Sequence, residues 1–457
     1  MTFPSPDDEA VRNPLVKVGP ISGFPEFSPD KQAVVDGVIA TIARHYTRAG
    51  AVSITTPLVE RLDVLTAKGG GAINKEIYGL RRLGDSDDGS AADVGLKFDL
   101  TLPTARFVAQ NESKLVFPLR RQQIDRVHRG ERPKAGRSRE FWQADFDIIG
   151  RGTLPVIADA EPPAIINGIF SELAIGPFVI RISNRKILSG YFRSLGIDPS
   201  LQTTALHIID KTEGGLDAIF ARLRERLGCS EETASAIVDF ISMKIDVEQP
   251  LRNLELFRSI EGLRQGIDEL THVVATALAL GVPEERLKID LSVARGLDYY
   301  TGSVYETSLL DHKSIGSICS GGRYDDLASR FSTTPFPGVG ISIGVTRLVT
   351  RLMEAGLLTT KEAFARHVLL ARVDVSLDGK YFGLLSGMRS AGVPSELYLG
   401  DARLGDQLRY ASRKGYGYAV IIRPDDAANG VVRVHDFNNG EDQVIPESKL
   451  LEVLLAA

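Results

Sequence analysis

Apolar residues near the start of the chain recur at three- and four-residue spacing, the pattern of an amphipathic helix. This pattern predicts a helix over 31–49, and Gly50 stands where a glycine commonly ends one. The apolar positions are Val34, Val35, Val38, Ile39, Ile42 and Tyr46. The next segment, "AVSITTPLVE", is predicted to be a strand. The stretches "KGGGAINKE" and "GDSDDGSAADVG" then predict a flexible loop, because the glycines are not followed by the GK[ST] of a phosphate-binding loop.

Two later segments, "LKFDLTLP" and "SREFWQADFDIIG", alternate between apolar and polar positions, which is typical of strands. Pro103, at the end of the first segment, is expected to open a helix. The polar positions are Lys97, Asp99 and Thr101 in the first segment and Gln143, Asp145 and Asp147 in the second. We therefore expect two strands that each carry carboxylates on a polar face.

The pattern changes to helical periodicity between about 185 and 285, where few residues of special chemistry occur. This region is interpreted as an inserted helical domain. Strands are expected to resume at "LKIDLSVARG" and to continue through "GSVYETSLL" and "SIGSICSGG". The final part of the chain alternates between strand and helix, so it predicts a small α/β domain with a boundary near 357–366.

The composition is that of an ordinary globular protein: of 457 residues, 43% are hydrophobic and 25% are charged. A chain of this length is expected to form two or three domains. It contains no apolar run long enough to span a membrane, and "MTFPSPDDEAVRNP" does not resemble a secretory signal. Two cysteines, Cys229 and Cys319, fit a reducing cytoplasm. The scattered histidines, without CxxC or HExxH spacing, argue against a structural zinc site.

A basic cluster lies in "HRGERPKAGRSREF", directly before the second alternating segment. Because the net charge of the chain is −5, any nucleic-acid partner would have to bind through such local patches. An isolated basic run is most often a solvated hairpin. The neighbouring polar strand face favours an anion site, since the planar guanidinium binds phosphate oxygens in pairs. The cations are Arg129, Arg132, Lys134, Arg137 and Arg139.

A second candidate arginine lies in "VARGLDYYTGSVYE". If Ile289, Leu291 and Val293 alternate along a strand, Arg295 falls on the same inward face. A buried arginine requires an anion partner. That partner could be a ligand or a carboxylate such as Asp298, and this stretch alone does not decide between them.

Two glycine-rich segments follow. In "SICSGGRYDDLASRF" the glycine pair is expected to break a strand, either for close approach of a ligand or for a plain turn. A helix face is then expected at Tyr324, Leu327, Ala328 and Phe331. In "PGVGISIGVTRLVTRLM" a buried strand leads into a helix with Arg347 in its first turn. The glycines there are interpreted as close strand–helix packing, because the spacing of a dinucleotide fingerprint is missing.

In this order, the four elements resemble the class II aminoacyl-tRNA synthetases, and closely the histidyl-tRNA synthetase family, over nearly the whole chain. "RGERPKAGRSREFWQADFD" resembles motif 2, "GVGISIGVTRL" resembles motif 3, and "ITTPLVE", with Pro57, is similar to motif 1. "ARGLDYYTGSVYE" and "CSGGRYDDL" resemble two histidine-specific signatures. The end of the chain resembles a class IIa anticodon-binding domain.

The resemblance implies an α+β fold: a catalytic core with an antiparallel sheet, formed by residues 1–184 and 286–357 around a helical insertion at 185–285, and an anticodon-binding domain at 366–457. It also implies a homodimeric histidine–tRNA ligase. Such an enzyme converts histidine and ATP, with Mg²⁺, to histidyl-adenylate and pyrophosphate, and then transfers the histidyl group to tRNA(His).

The resemblance also assigns roles to residues. Arg129 would bind the α-phosphate and the histidine carboxylate, Arg347 the γ-phosphate, and Arg295 would stabilise charge on the α-phosphate during transfer. Glu131 and Phe141 would hold the adenine. The histidine pocket would comprise Asp99, Thr101, Gln143 and Asp147, closed around the imidazole by Tyr299, Tyr300 and Tyr324.

Three positions depart from the family pattern. Thr346 stands where motif 3 commonly has an acidic residue, Lys134 where glutamine is frequent, and Lys97 where arginine is usual. Two alternatives to the ligase remain open from the sequence. One is a paralogue that does not charge tRNA, such as a regulatory subunit of ATP phosphoribosyltransferase. The other is an enzyme that passes histidyl-adenylate to an acceptor other than tRNA. A dehydrogenase or kinase is disfavoured, since neither glycine fingerprint is present.

Overall fold

The computed structural model describes most of the chain, namely residues 18–67, 75–82, 84, 92–132, 136–211, 214–294, 296, 300–360 and 363–456. The two glycine-containing stretches predicted as a loop lie largely outside them.

Strands and helices alternate along the chain in groups. The strands are β1 Val52–Ser53, β2 Val59–Arg61, β3 Gly79–Leu80, β4 Val94–Leu96, β5 Leu119–His128, β6 Glu140–Ile149, β7 Phe178–Asn184, β8 Leu287–Ile289, β9 Ser303–Leu309, β10 Ser317–Tyr324, β11 Gly338–Gly344, β12 Val368–Leu370, β13 Ser395–Leu397, β14 Tyr418–Ile421, β15 Val431–Asp436 and β16 Glu441–Pro446. The helices are α1 Pro29–Arg48, α2 Leu62–Leu65, α3 Thr101–Gln110, α4 Glu161–Glu172, α5 Arg185–Ser194, α6 Pro199–Lys211, α7 Gly215–Leu227, α8 Glu231–Ile241, α9 Pro250–Leu254, α10 Arg264–Ala279, α11 Val345–Glu354, α12 Asp378–Ser390, α13 Leu404–Lys414, α14 Pro424–Ala428 and α15 Leu450–Ala456.

The largest sheet has the strand order β1-β5-β6-β11-β10-β9-β7-β8 among the described residues. Its inner pairings are antiparallel, and the outermost pairs, β1 with β5 and β7 with β8, are parallel. Strand β6 lies next to β11, nearly two hundred residues further along the chain. The prediction of an antiparallel sheet that draws on both sides of the helical region is therefore confirmed.

Helix α1 packs on one face of this sheet, as its predicted apolar stripe requires. Val35, Val38, Ile42 and Tyr46 are buried, and the Tyr46 ring lies 5.5 Å from that of Phe146 on β6. Gly50, with φ of +80°, follows the helix end as predicted. The C-terminal region forms a separate sheet in the order β13-β12-β14-β15-β16, which confirms the predicted α/β unit.

The prediction of a strand over "LKFDLTLP" is wrong beyond its first residue. β4 ends at Leu96 and α3 begins at Thr101, two residues before Pro103. The Asp99 carboxylate accepts a hydrogen bond from the Leu102 N–H at 3.2 Å, which turns the chain into the helix. The segment between is buried at both apolar and polar positions, so the alternation did not reflect one solvated face.

The glycine pair of "SICSGGRYDDLASRF" does not break a strand. β10 runs through Gly321 and Gly322 to Tyr324, and no helix follows over residues 325–331, all of which are described. A Cβ built on Gly321 would lie 2.1 Å from Gly340 O, and one on Gly322 would lie 2.6 Å from Ser303 O. The pair is therefore required by close packing against both neighbouring strands.

Two further strand predictions are too long. "AVSITTPLVE" forms the short strands β1 and β2 with an interruption between them, and the strand starting at Leu287 ends at Ile289. Leu291 and Val293 consequently lie beyond β8, although both are buried as expected. None of the described helices is long and apolar enough to cross a membrane.

Candidate active site

A cavity of about 610 Å³ opens where β6, β10 and β11 meet the start of α11. It brings together five of the residues proposed from the sequence: Arg129, Glu131, Phe141, Gln143 and Arg347. These side chains come from segments separated by more than two hundred residues. The sheet pairing of β6 with β5 and β11 is what places them at one site.

Arg129 follows the last residue of β5 and is fixed by two contacts. Its Nε donates to Phe98 O at 3.1 Å, and its guanidinium carbon lies 5.1 Å from the centre of the Phe141 ring. A guanidinium has five N–H donors, of which this bond uses one. Arg129 is therefore held at the cavity wall in an orientation suited to an oxyanion, and the Phe141 ring beside it provides a flat surface for a base.

The described ends of the basic loop are held by an upstream segment that sequence reasoning did not single out. Arg139 N donates to Gly23 O at 2.7 Å, and Arg139 Nη1 donates to Ser22 O at 3.3 Å. Glu131 accepts a hydrogen bond from Arg137 Nη1 at 3.1 Å. The backbone hydrogen bonds of residues 22–23 could not be predicted from the residue types. The aromatic residue Phe24, whose ring lies near that of Tyr78, was a possible sign that this segment packs against the core. Lys134 lies outside the described residues.

Arg347 occupies the first turn of α11, as predicted. Its Nη2 donates to Ile315 O at 3.0 Å, in the turn before β10. The preceding residue, Thr346, is buried, and its hydroxyl accepts the Trp142 N–H at 2.9 Å. The threonine that replaces the expected acidic residue therefore ties the start of α11 to the start of β6.

Behind the cavity lies a buried group of charged residues on β5 and β6. Arg121 Nη2 lies 2.6 Å from Asp147 Oδ2 and 3.8 Å from Asp145 Oδ2. Tyr324 donates to Asp147 Oδ1 at 2.9 Å, and the Gln143 amide donates to both oxygens of Asp145, at 3.1 and 3.2 Å. Gln143 thus connects the cavity with the buried carboxylates.

Burial dominates the acid–base behaviour of these carboxylates. It raises the pKa of Asp145 to about 7, with Arg121 acting in the opposite direction and Asp147 adding to the rise. Burial also raises the pKa of Asp147, against the effects of Arg121 and of the Tyr324 hydroxyl. Such perturbed groups beside a cavity are typical of functional sites.

The remaining proposed residues lie around this group and do not line the large cavity. Asp99 is buried at the start of α3, and Thr101 and Tyr324 border a void of about 10 Å³. The Tyr300 ring lies against the backbone of Gly296 and Gly322, where a Cβ would approach it to 2.0 and 2.8 Å. Burial raises the pKa of Tyr300, and Asp147, Asp145, Cys319 and Asp99 raise it further, which places its ring in the same electrostatic environment. Arg295 and Tyr299 lie outside the described residues.

Sequence reasoning missed Arg121 and assigned no role to Arg323. The contact of Arg121 with the carboxylates can be recognised only from the pairing of β5 with β6, which sets Arg121 opposite Asp147. Arg323, the arginine of "GGRYD", does not line the cavity. It forms a buried ion pair with Asp159, with Nη2 to Oδ1 at 2.7 Å, and also donates to Leu154 O.

In this sheet one arginine follows β5, the first strand of motif 2, and another follows β11, the strand of motif 3, with β6 between the two strands. An antiparallel sheet that carries arginines at these two places is the catalytic core of a class II aminoacyl-tRNA synthetase. The chain belongs to the histidyl-tRNA synthetase family, because the model of that family, "Histidyl-tRNA synthetase", matches residues 23–348. A second model, "Anticodon binding domain", matches residues 368–457.

Individual relatives agree with this assignment. A protein named histidine–tRNA ligase from Stenotrophomonas maltophilia (strain K279a) is 40% identical, with 92% of this chain and 94% of that protein covered. One of the same name from Nostoc sp. (strain PCC 7120 / SAG 25.82 / UTEX 2576) is 39% identical over 96% of this chain and 98% of its own length. The crystal structure of histidyl-tRNA synthetase from Nostoc sp. PCC 7120 superposes with a TM-score of 0.89 at 38% identity, covering 97% of this chain and all of the other.

Proposed function

We propose that this chain is a histidine–tRNA ligase that activates histidine with ATP and then transfers the histidyl group to tRNA(His). The observation that carries the proposal is the meeting of Arg129 and Arg347 at one cavity, whose wall continues through Gln143 to buried carboxylates. Two arginines suit the oxygens of a polyphosphate, and buried carboxylates suit a ligand that presents N–H groups. The identity of its relatives favours the ligase over a paralogue that does not charge tRNA.

In the first step, a carboxylate oxygen of histidine attacks the α-phosphorus of ATP, and the bond to pyrophosphate breaks. Arg129 binds the α-phosphate and the histidine carboxylate, and Arg347 binds the γ-phosphate. Phe141 stacks on the adenine and Glu131 accepts a hydrogen bond from it. Arg295 stabilises the charge that develops on the α-phosphate, which lowers the barrier only if it is held in place beforehand.

Histidine lies deeper, beside the buried group. Gln143, Asp99 and Thr101 hold its amino group and Asp147 accepts an N–H of its imidazole. The three tyrosines proposed from the sequence, Tyr299, Tyr300 and Tyr324, close the pocket. The hydrogen bond from Tyr324 to Asp147 supports this arrangement, because it orients the carboxylate that receives the ligand.

Mg²⁺ would be held mainly by the phosphates of ATP. Within the described residues, no group of three or more His, Cys, Asp or Glu side chains is placed to hold a metal ion by itself. Mg²⁺ commonly uses one or two carboxylates with substrate phosphates and water, and Glu26 and Glu76 line the cavity as candidates. The ion would neutralise phosphate charge.

The second step and the assembly rest on other parts of the chain. The anticodon-binding domain, proposed at 366–457, contacts the anticodon of tRNA(His), and the helical insertion is proposed at 185–285 between the two core segments, 1–184 and 286–357.

We place the homodimer interface at the motif 1 segment, where Val52, Leu58 and Val59 are exposed on short strands and their connection. A cytoplasmic location agrees with Cys229 and Cys319, both free.

The test is histidine-dependent ATP–pyrophosphate exchange by the pure protein with Mg²⁺. No exchange would contradict the enzyme assignment. Charging of tRNA(His) transcripts with and without the extra 5′ guanosine comes next. Exchange without charging of either transcript would indicate a histidyl-adenylate donor to another acceptor, and charging of both transcripts alike would mean that the Lys134-containing loop does not read the guanosine.

A further inference from the structure

Arg121 is the largest side chain that the described structure buries completely. It lies on β5, and the residue opposite it on β6 is Asp147. A guanidinium so deep in the protein is costly unless anions surround it. Two carboxylates, Asp145 and Asp147, provide that surrounding.

The contact between Arg121 and Asp147 is close but is not a regular hydrogen bond. The Nη2–Oδ2 distance is 2.6 Å, yet the three guanidinium nitrogens and Asp147 Oδ2 have no hydrogen-bond partner of normal geometry among the described residues. Native proteins seldom leave that many buried polar atoms without hydrogen bonds. The arrangement therefore depends on charge, and a change of the charge on Arg121 should act on Asp147 first.

Both acidic partners of Arg121 also contact groups proposed to bind histidine. Asp147 Oδ1 accepts from Tyr324, and Asp145 accepts from the Gln143 amide, which lines the cavity. Arg121 itself does not line the cavity. Its influence on a ligand would pass through these two carboxylates.

We propose that Arg121 is a positioning residue for histidine recognition: it favours the ionised form of Asp147 and holds this carboxylate in place, so that it can accept the imidazole N–H and exclude amino acids without one. The proposal rests on the ligase function proposed above. Without Arg121 the protonated form of Asp147 is favoured, and its O–H offers a donor to the imidazole, which weakens the basis for selection.

The dependence on pH gives a readout that a merely structural role would not change. The groups that act on the two carboxylates are Arg121 on β5, Gln143 on β6, Tyr324 on β10 and Ser342 on β11, and Asp147 also acts on Asp145. In addition to burial, the carboxylates in turn raise the pKa of Tyr46 on α1 and of Tyr300, which Cys319 and Asp99 also face. Burial raises the pKa of Asp147, and without Arg121 no cation opposes this rise. Histidine binding by the variant should then recover as the pH rises and Asp147 ionises.

The experiment compares Arg121→Met, which keeps the apolar bulk, Arg121→Lys, which keeps the charge, and Arg120→Met as the matched control. Arg120 is the adjacent residue, with a half-buried ion pair to Glu161 on the other side of β5. KM for histidine and for ATP is measured by pyrophosphate exchange from pH 6.5 to 8.5, and each variant's fold is checked by circular dichroism.

We expect Arg121→Met to raise the KM for histidine by at least about tenfold at pH 7, with the KM for ATP changed by less than about twofold. The ratio of the histidine KM of Arg121→Met to that of the unchanged protein should fall as the pH rises. Arg121→Lys should bind histidine better than Arg121→Met does, and Arg120→Met should leave the KM for histidine and the KM for ATP unchanged. Equal losses for histidine and ATP, or a ratio independent of pH, would overturn the proposal. If Arg121→Met does not fold, Arg121→Gln, a second neutral variant, takes its place, and an unaltered KM for histidine in Arg121→Gln refutes the proposal. Absence of exchange by the unchanged protein would instead refute the ligase function.

Discussion

Gly340 offers a direct test of how closely β11 packs against the proposed histidine-binding carboxylate. Gly340 and Asp147 face each other in the pairing of β11 with β6. A Cβ built on Gly340 would lie 2.1 Å from Asp147 Oδ1, whereas ordinary contact begins at 3.4 Å. In the Gly340→Ala variant the carboxylate therefore has to move by more than an ångström. That movement breaks its 2.9 Å hydrogen bond with Tyr324.

The size of the effect follows from the contacts that are lost. A hydrogen bond to a charged group contributes about 1.5–3 kcal/mol, which corresponds to about a ten- to hundredfold change in an equilibrium constant. We expect the KM for histidine to rise by this factor. The KM for ATP should change by less than about twofold, because Arg129 and Arg347 are not displaced by the added methyl group. The same Cβ would lie 2.5 Å from Phe146 O. This overpacking should lower the free energy of unfolding by about 1–3 kcal/mol.

The assay is pyrophosphate exchange at varied histidine and ATP, with urea denaturation to measure stability. Gly37→Ala is the control: Gly37 is exposed in α1, and its Cβ would meet nothing within 4 Å. That change should stabilise the protein by about 0.5–1 kcal/mol and leave both constants unchanged. If Gly340→Ala binds histidine as well as the unchanged protein does, or loses ATP affinity to the same degree, the reasoning about Asp147 is wrong.

Three further predictions concern neighbouring contacts. Arg323→Met leaves Asp159 charged and buried, so denaturation should show a loss of about 3–5 kcal/mol in the free energy of unfolding, and a loss below 1 would show that the pair is dispensable. Asp145 has a pKa raised to about 7, so the native state holds a proton that the unfolded state has released, and this contribution to stability is lost between about pH 4 and 7. Asp145→Asn should therefore gain stability relative to the unchanged protein as the pH rises through this window, by up to about 4 kcal/mol, and a difference independent of pH would contradict the raised pKa. Phe141→Leu removes the ring beside Arg129 and should raise the KM for ATP by about three- to tenfold while sparing histidine, as measured by exchange.

Sequence patterns predicted this structure well where a helix or strand has one buried face, and poorly where a segment is buried on all sides. The stripe of α1 and the start of α11 with Arg347 could be derived because each helix has one buried face. The predicted strand over "LKFDLTLP" assumed that Lys97 lies on a polar face. Lys97 is instead fully buried despite its charge, and its ammonium group donates to Thr56 O and to the Asp125 carboxylate. The role of Arg121 could not be derived, since it depends on a strand register that no local pattern encodes.

The glycines of the two late signatures show why motifs that are distant in sequence occur together. Gly338 and Gly340 were interpreted as packing a strand against a helix, but a Cβ on Gly338 would lie 2.5 Å from the Tyr324 ring and one on Gly340 would meet Asp147. The glycines of motif 3 thus make room for the tyrosine of "GGRYD" and for the aspartate of motif 2. Gly322, in turn, makes room for the Tyr300 ring of "RGLDYY". Because each glycine is complementary to a side chain of another motif, a larger residue at any of them displaces a group proposed to bind histidine. The motifs are therefore one packing unit, and they constrain one another through contact.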